Sequence, residues 1–394
     1  MFPFKRKTRI PNNPRRILVV GQANLASTTG GSITAFFHFC RLMAEMGYEV
    51  TGTCYGDDPR RPALLDERVR FVNLRLFYED TSAYHRAFNR LVGEWNPDLI
   101  VFFFPHYCLE VRPKSRFKEI PRLIMFHSRP DYLFAQLKNF PERLRRYYTN
   151  THSQVLLDSY RDLLPEYIRK GPVHVIANGI KPFPETINYR TEHKRIVYFS
   201  RIDRLKGLDL LIDAMVLVKE KHPDWRVDVY GDIEPETYGQ ELQKAIDENQ
   251  LRQQIRLMGR SDRSTEDTLK EYDFCVFPSR LEGFSIGLGE SLSIGLACIG
   301  LRSCSGVNEV IVDGYNGLLC QDEPEDFARA VNRLIEHPQE REKMGKNARL
   351  WMRQYHPTII DMQWMRLIHS LLKDENFSVT NPKKLLGIAR ATGK

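Results

Sequence analysis

Short runs of β-branched and aromatic residues alternate with amphipathic stretches of a dozen or more residues along this chain, and the pattern starts afresh at residue 195. Such alternation predicts βα units with parallel sheets. Strands are expected at 16–20, 49–54, 70–74, 98–104, 122–126 and 173–176, then at 195–199, 225–230, 255–258, 274–277 and 297–300. Residues 34–46 place Phe36, Phe37, Cys40, Met43 and Ala44 on one broad apolar face and stop at Gly47, as a crossover helix does. Helices are expected at 208–221 and 288–294. Beyond Asn316-Gly317 the chain turns mostly helical, at 325–336, 340–354 and 357–372. A length of 394 residues suits two domains better than one core. The aperiodic stretch 180–193, with Pro182 and Pro184, is placed as the linker, and a cleft is expected around it.

Composition narrows the function classes. No apolar run approaches the ~20 residues of a membrane span; the longest, 99–104, is closed by Pro105. The basic start, 1–16, lacks the apolar core of a secretory signal, so a cytoplasmic protein is expected. The seven cysteines form no C-x-x-C pair and are odd in number, which favours buried free thiols over a metal or disulfide set. The 58 Lys and Arg against 50 Asp and Glu leave a formal charge of +8 and favour an anionic partner. Lys5, Arg6, Lys7, Arg9, Arg15 and Arg16 form one cluster, and Arg112, Lys114, Arg116, Lys118 and Arg122 a second. In a third, Arg143, Arg145 and Arg146 run into Tyr147 and Tyr148, a mixture suited to the inner face of an anionic membrane; each cluster equally fits a plain solvated surface. No RNP, zinc-finger or helix-turn-helix pattern is present, so nucleic acid is not an expected partner.

The most informative segment is PSRLEGFSIGLGESLSIGLACIG, 278–300. It follows an apolar strand, turns at Glu282-Gly283 and opens a helix near Ile286. Ligands of open α/β sheets bind where strands end in such loops, and the free amides of a helix start attract phosphate. Glu282 in the loop and Glu290 one turn into the helix can point into one pocket, where a carboxylate suits the vicinal hydroxyls of a ribose or hexose. Two glutamates near a helix start can also simply complement its dipole. Arg201 and Lys206 follow the first strand of the second half; together they can neutralise a diphosphate, or stand as surface cations. Thr28-Thr29-Gly30-Gly31-Ser32 repeats the strand–glycine–helix arrangement in the first half, without G-x-G-x-x-G and without a P-loop lysine.

Gly30-Gly31, Asn178-Gly179-Ile180, Arg201 with Lys206, Glu282-x7-Glu290 and Asn316-Gly317-Leu318-Leu319, in this order and spacing, resemble the retaining glycosyltransferases of family 4 over nearly the whole chain, most specifically at 195–320. The resemblance implies the GT-B architecture: two facing Rossmann-like domains with parallel sheets and an interdomain cleft, and a last helix crossing back to the first domain. The corresponding organisation is 1–179 as the acceptor-side domain, 180–193 as the linker, 194–356 as the nucleotide-sugar domain, 357–373 as the crossover helix and 374–394 as a basic tail. It also implies that Arg201 and Lys206 hold the donor diphosphate and stabilise it as a leaving group, in place of a metal; no Asp-x-Asp occurs in the chain to hold a divalent ion, and no cofactor is implied. Glu290 would bind the ribose. Glu282, Gly283 and the backbone of Phe284, Ser285 and Ile286 would hold the transferred sugar and phosphate, Gly30 and Gly31 would approach the diphosphate from the first domain, His127 would stand near the reacting sugar, and Arg260 would touch the base. The implied reaction is transfer of a hexose or N-acetylhexosamine, with retention, from a UDP-linked donor to a glycan, glycolipid or protein acceptor in surface-polysaccharide synthesis. A catalytically silent subunit of the same fold and a nucleotide-sugar epimerase are the alternatives. Where the family more often has Pro and an apolar residue at the helix start, this chain has Gly287 and Gly289, which would loosen the first turn and make room for a bulkier sugar.

Overall fold

The computed structural model describes residues 14–24, 31–55, 66–74, 81–108, 119–136, 139–190 and 192–373. Gly30, the basic residues at 5–9, Arg112, Lys114, Arg116, Lys118 and the tail 374–394 lie outside them. Contacts divide the chain into two units: the chain up to Ile176 with the segment from Asp361, and Ala177–Ile360.

The first unit contains β1 (Arg16–Asn24), α1 (Gly31–Glu45), β2 (Glu49–Tyr55), β3 (Val69–Asn73), α2 (Thr81–Trp95), β4 (Leu99–Phe102), β5 (Arg122–Phe126), α3 (Pro130–Ala135), α4 (Phe140–Arg145), β6 (Thr151–Val155), α5 (Glu166–Arg169) and β7 (Val173–Val175). Its seven strands lie in the order β3-β2-β1-β4-β5-β6-β7, all parallel. Ile17–Val20, Leu99–Phe102 and Leu123–Phe126 are fully buried, as unbroken apolar runs must be when helices cover both faces of a sheet.

The second unit contains β8 (Arg195–Phe199), α6 (Leu208–Lys221), β9 (Arg226–Tyr230), α7 (Glu236–Glu248), β10 (Ile255–Gly259), α8 (Thr265–Leu269), β11 (Phe274–Phe277), α9 (Ile286–Ile294), β12 (Ala297–Leu301), α10 (Ser305–Asn308), β13 (Gly317–Cys320), α11 (Pro324–Glu336) and α12 (Pro338–Met352). Its order is β10-β9-β8-β11-β12-β13. Both orders reverse direction beside the first strand, which creates the topological switch point of a doubly wound sheet. The last helix, α13 (Pro357–Leu372), is counted with the first unit from Asp361 onward. There Trp364 packs edge-on against Phe39 with ring centres 5.2 Å apart, and His38 Nε2 lies 2.7 Å from Asp361 Oδ1.

Two strands were not expected. β6 reads as polar because Thr151, Ser153 and Gln154 are buried by pairing rather than by apolarity: Thr151 Oγ1 donates to Tyr147 O (2.8 Å), Ser153 Oγ meets Tyr148 OH (2.8 Å), and Gln154 Nε2 donates to Ile176 O (2.7 Å). β13 begins at Gly317, directly after a turn at 314–316. Asn316 is buried in that turn, accepting from Val312 N (2.7 Å) and donating to Val310 O (3.1 Å). A Cβ on Gly317 would sit 2.2 Å from Cys298 O, so glycine lets β13 pair with β12.

Residues 180–193, expected as a linker, belong to the second unit and are strapped along α9 and α12. Thr186 Oγ1 donates to Ile294 O (2.9 Å), Tyr189 OH donates to Gly295 O (2.8 Å), and the Arg349 guanidinium donates to the carbonyls of Phe183 (2.9 Å) and Glu185 (2.7 Å). The prolines prevent helix but not this anchoring, because side chains supply the missing donors. All seven cysteines are buried and free. In the Arg143–Tyr148 segment only the arginines are exposed. Tyr147 and Tyr148 turn inward, so the expected aromatic contribution to a membrane face is absent. No helix among the described residues is long and apolar enough to cross a membrane.

Candidate active site

Arg201, Arg260 and Glu282 follow β8, β10 and β11, so they stand at the same C-terminal edge of one parallel sheet, the edge at which α9 begins. Tyr198, fully buried, donates its hydroxyl to Arg201 O at 2.7 Å and fixes the start of the first loop. Asp203 then caps a short 3-10 turn by accepting from Leu205 N at 2.9 Å. Gly207 closes the turn with φ of +66°, and a Cβ there would lie 2.0 Å from Pro278 O. Only glycine permits this approach. The loop after β8 is thereby pressed onto the end of β11, and Lys206 is carried inward.

The consequence is a buried ion pair. Lys206 Nζ lies 2.8 Å from Glu282 Oε1, with side chains only 9% and 8% exposed. Ser279 Oγ donates to the same oxygen at 2.9 Å, and Lys206 Nζ reaches Leu281 O at 3.4 Å. The α10 backbone backs this pair at Gly306, where a Cβ would meet Glu282 Cβ and Gly283 O at 2.5 Å each. Cys304 lies against it too; burial and the Glu282 charge push its thiol up to about 11, so it is an inert packing group. Arg201 is different: its side chain is 60% exposed and touches Asp203 at 3.2 Å, leaving its fork largely available to solvent. Arg260, beyond the left-handed Gly259, is exposed.

α9 starts at Ser285, whose hydroxyl accepts from Leu288 N at 3.4 Å. Phe284 is buried against Tyr355 with ring centres 4.8 Å apart, and its carbonyl accepts from Asn178 Nδ2 at 3.2 Å. The two unusual glycines have a packing cause. A Cβ on Gly287 would be 2.0 Å from Phe199 O, and one on Gly289 would be 2.7 Å from Ile180. They let the first turn press against β8 and the strap, which brings the amides of the helix start and their partial positive charge to the sheet edge. Glu290, one turn in, accepts no hydrogen bond from the described residues. Burial pushes its carboxyl up to about 7, opposed by the charge of Lys181.

In the first unit Gly31 opens α1, while Gly30 lies outside the described residues. His127 follows β5 and stacks on Phe103 with centroids 4.1 Å apart. Its Nε2 is buried with no hydrogen-bond partner among the described residues, and burial drives its pKa down to about 3. It is a neutral imidazole at pH 7. Four further participants escape a reading of the motifs: Ser279, Gly306, Gly207 and Lys181. Ser279 stands three residues before Glu282 and could have been weighed as its partner; the other three depend on elements distant in sequence.

The family described as glycosyl transferases group 1 matches residues 181–351, and that described as glycosyltransferase family 4 matches residues 29–183. An uncharacterised glycosyltransferase of Haemophilus influenzae is 25% identical over 218 residues, 54% of this chain and 60% of its own, so this chain spans less than two thirds of that relative. D-rhamnosyltransferase WbpZ of Pseudomonas aeruginosa is 24% identical over 86% of this chain and 91% of its own. Among solved structures, sucrose-phosphate synthase from Thermosynechococcus elongatus superimposes with a TM-score of 0.76 at 18% identity, covering 91% of this chain and 99% of that one. Anabaena HepE in complex with UDP and glucose does so with a TM-score of 0.69 at 17% identity, covering 90% and 100%. These likenesses make the fold GT-B. With the two family matches running in succession from residue 29 to residue 351, the chain belongs to the group 1, family 4 type of glycosyltransferases.

Proposed function

We propose that this glycosyltransferase moves a hexose or N-acetylhexosamine from a UDP-linked donor, with retention and without a metal, to a hydroxyl of a glycan, glycolipid or protein in surface-polysaccharide synthesis. The observation that carries the reading is the buried Lys206–Glu282 pair beside the start of α9, with Arg201 exposed at the same sheet edge. An ammonium group and a guanidinium at one strand edge suit a diphosphate, and a carboxylate one hydrogen bond away suits a sugar hydroxyl. The UDP and glucose bound by the Anabaena protein support the donor class by analogy of fold alone.

In this reading the bond from the anomeric carbon to the diphosphate oxygen breaks while the acceptor oxygen attacks from the same face. The acceptor's proton passes to the departing diphosphate oxygen. Arg201, Lys206 and the amides of Gly283, Phe284, Ser285 and Ile286 stabilise the charge that develops there. Glu282 holds the sugar, Glu290 the ribose and Arg260 the base. Gly30 and Gly31 keep their proposed place at the diphosphate, and His127 its place beside the sugar, where a neutral imidazole can accept or donate a hydrogen bond without adding charge. Peripheral attachment to the inner face of an anionic membrane rests on exposed Arg143, Arg145 and Arg146.

The test is release of nucleoside diphosphate in EDTA from UDP-glucose, UDP-galactose, UDP-N-acetylglucosamine, UDP-N-acetylgalactosamine and GDP-mannose, with wild type and Glu282→Ala. Release from one UDP-sugar that disappears in the variant supports the reading. Release that requires added divalent metal overturns metal independence, and release from GDP-mannose alone overturns the UDP assignment. The anomeric configuration of the product, read by NMR, decides retention.

A further inference from the structure

Arg280 stands in the middle of the loop that carries the buried pair, and its neighbours on both sides touch that pair. Ser279 Oγ donates to Glu282 Oε1 at 2.9 Å, and Leu281 O accepts from Lys206 Nζ at 3.4 Å. The amide of Arg280 itself donates to Leu205 O at 2.9 Å, one residue before Lys206. Its guanidinium bonds two carboxylates from two other loops. Nη1 donates to Asp209 Oδ1 and Oδ2 at 2.8 and 2.9 Å, while Nε and Nη2 donate to Asp322 Oδ2 and Oδ1 at 2.7 and 3.1 Å. Asp209 is the second residue of α6, two positions after Gly207, and Asp322 lies between β13 and α11. One side chain thereby joins the loops after β8, β11 and β13. A guanidinium presents five N–H donors in one plane, enough for two carboxylates, where an ammonium group is a single point charge. The three side chains are 35%, 55% and 37% exposed, so each pair adds little to stability. Their effect is geometric. The loop 279–282 is tied by its backbone to Leu205 and by a side chain to Asp209, on either side of Lys206 in sequence. A shift of this loop would move Ser279, Leu281 and Glu282 together relative to the ammonium group.

We propose that Arg280 is a positioning residue for sugar transfer: by clamping Asp209 and Asp322 it sets the mutual placement of Lys206 and Glu282, the groups that meet the diphosphate and the sugar. This rests on the reading of that pair as the donor site. Misplacing a reacting group by 1 Å from a distance costs on the order of a hundredfold in rate. The close approach of Gly207 to Pro278 O survives loss of the clamp, so the expected fall is smaller, about tenfold.

The experiment measures kcat and KM for nucleoside diphosphate release from the five nucleotide sugars named above, with urea unfolding alongside, in wild type, Arg280→Met, Arg280→Lys, Lys206→Met, Glu282→Ala and the double variant of Arg280→Met with Lys206→Met. Arg333→Met is the control, because Arg333 of α11 makes a comparable exposed pair with Glu340 of α12. Arg280→Met is expected to lower kcat about tenfold with KM changed less than threefold, and Arg280→Lys, which keeps the charge but not the fork, to lower kcat about threefold. Arg333→Met should keep kcat within twofold of wild type. Adding Arg280→Met to Lys206→Met should cost no more than about threefold further, since one of the groups it places is gone. A kcat within twofold of wild type in Arg280→Met, or a full tenfold further loss in the double variant, with Lys206→Met and Glu282→Ala still impaired, overturns the role of Arg280 and leaves the donor site standing. Turnover of Lys206→Met and Glu282→Ala within threefold of wild type, or no release by wild type from any of the five, overturns the donor reading and the inference with it.

Discussion

Replacing Lys206 by methionine removes a charge and keeps most of the side-chain volume. The ammonium group lies 2.8 Å from Glu282 Oε1 and both side chains are less than a tenth exposed, so the variant leaves a carboxylate buried without its countercharge. Breaking such a pair from one side costs about 3–5 kcal/mol. Ser279 still donates to the stranded oxygen at 2.9 Å, which places the loss near the lower end, ~3 kcal/mol. The same change removes a group assigned to the leaving diphosphate, a loss of about a hundredfold or more in turnover. Urea unfolding and single-donor turnover read these two effects separately. Glu282→Gln added to Lys206→Met removes the stranded charge. The double variant should regain ~1–2 kcal/mol of stability while its turnover stays at least a hundredfold down. Lys206→Met with an unshifted unfolding midpoint would refute the buried-pair argument, and turnover within threefold of wild type would refute the catalytic one.

Gly306→Ala puts a methyl group 2.5 Å from Glu282 Cβ and Gly283 O, so turnover should fall about tenfold or more with ~1–3 kcal/mol of destabilisation, measured by kcat and urea unfolding. Gly287→Ala, aimed at Phe199 O, should destabilise without changing which nucleotide sugar is preferred in the donor panel. Glu290 is raised in the folded chain to about 7 from an ordinary 4.5, so its contribution to stability is present below pH 4.5 and is lost as pH rises through 7; Glu290→Gln should therefore raise the melting temperature at pH 8 and leave it nearly unchanged at pH 4.5. His127 is held well below its ordinary 6.5, so its contribution is present above pH 6.5 and lost as pH falls toward 3; His127→Phe should flatten the decline of stability between pH 6.5 and 4 in thermal scans. If Arg143, Arg145 and Arg146 meet an anionic surface, changing all three to glutamate should abolish sedimentation with phosphatidylglycerol vesicles and spare turnover on a soluble acceptor.

The alternation of strand and helix periods determined the two parallel sheets, because side-chain burial on both faces of a sheet demands unbroken apolar runs that local composition displays. Loop chemistry was equally legible: Arg201, Lys206 and Glu282 stand just after apolar strands, and the strand-to-loop change alone places them at one sheet edge. What tertiary structure decided was pairing at a distance. β6 was hidden because its buried polar side chains find hydrogen-bond partners outside the strand, Gln154 Oε1 excepted, and β13 because the turn that ends at Asn316 leads directly into it. The contact of Lys206 with Glu282 requires Gly207 against Pro278, and the strap lies along α9 because Ile180 fills the space beside Gly289 and Ser293 bonds the Lys181 carbonyl. Burial and hydrogen-bond satisfaction belong to the assembled core, so the sequence by itself specified which chemical groups are present, and packing set which of them meet and in what state of charge.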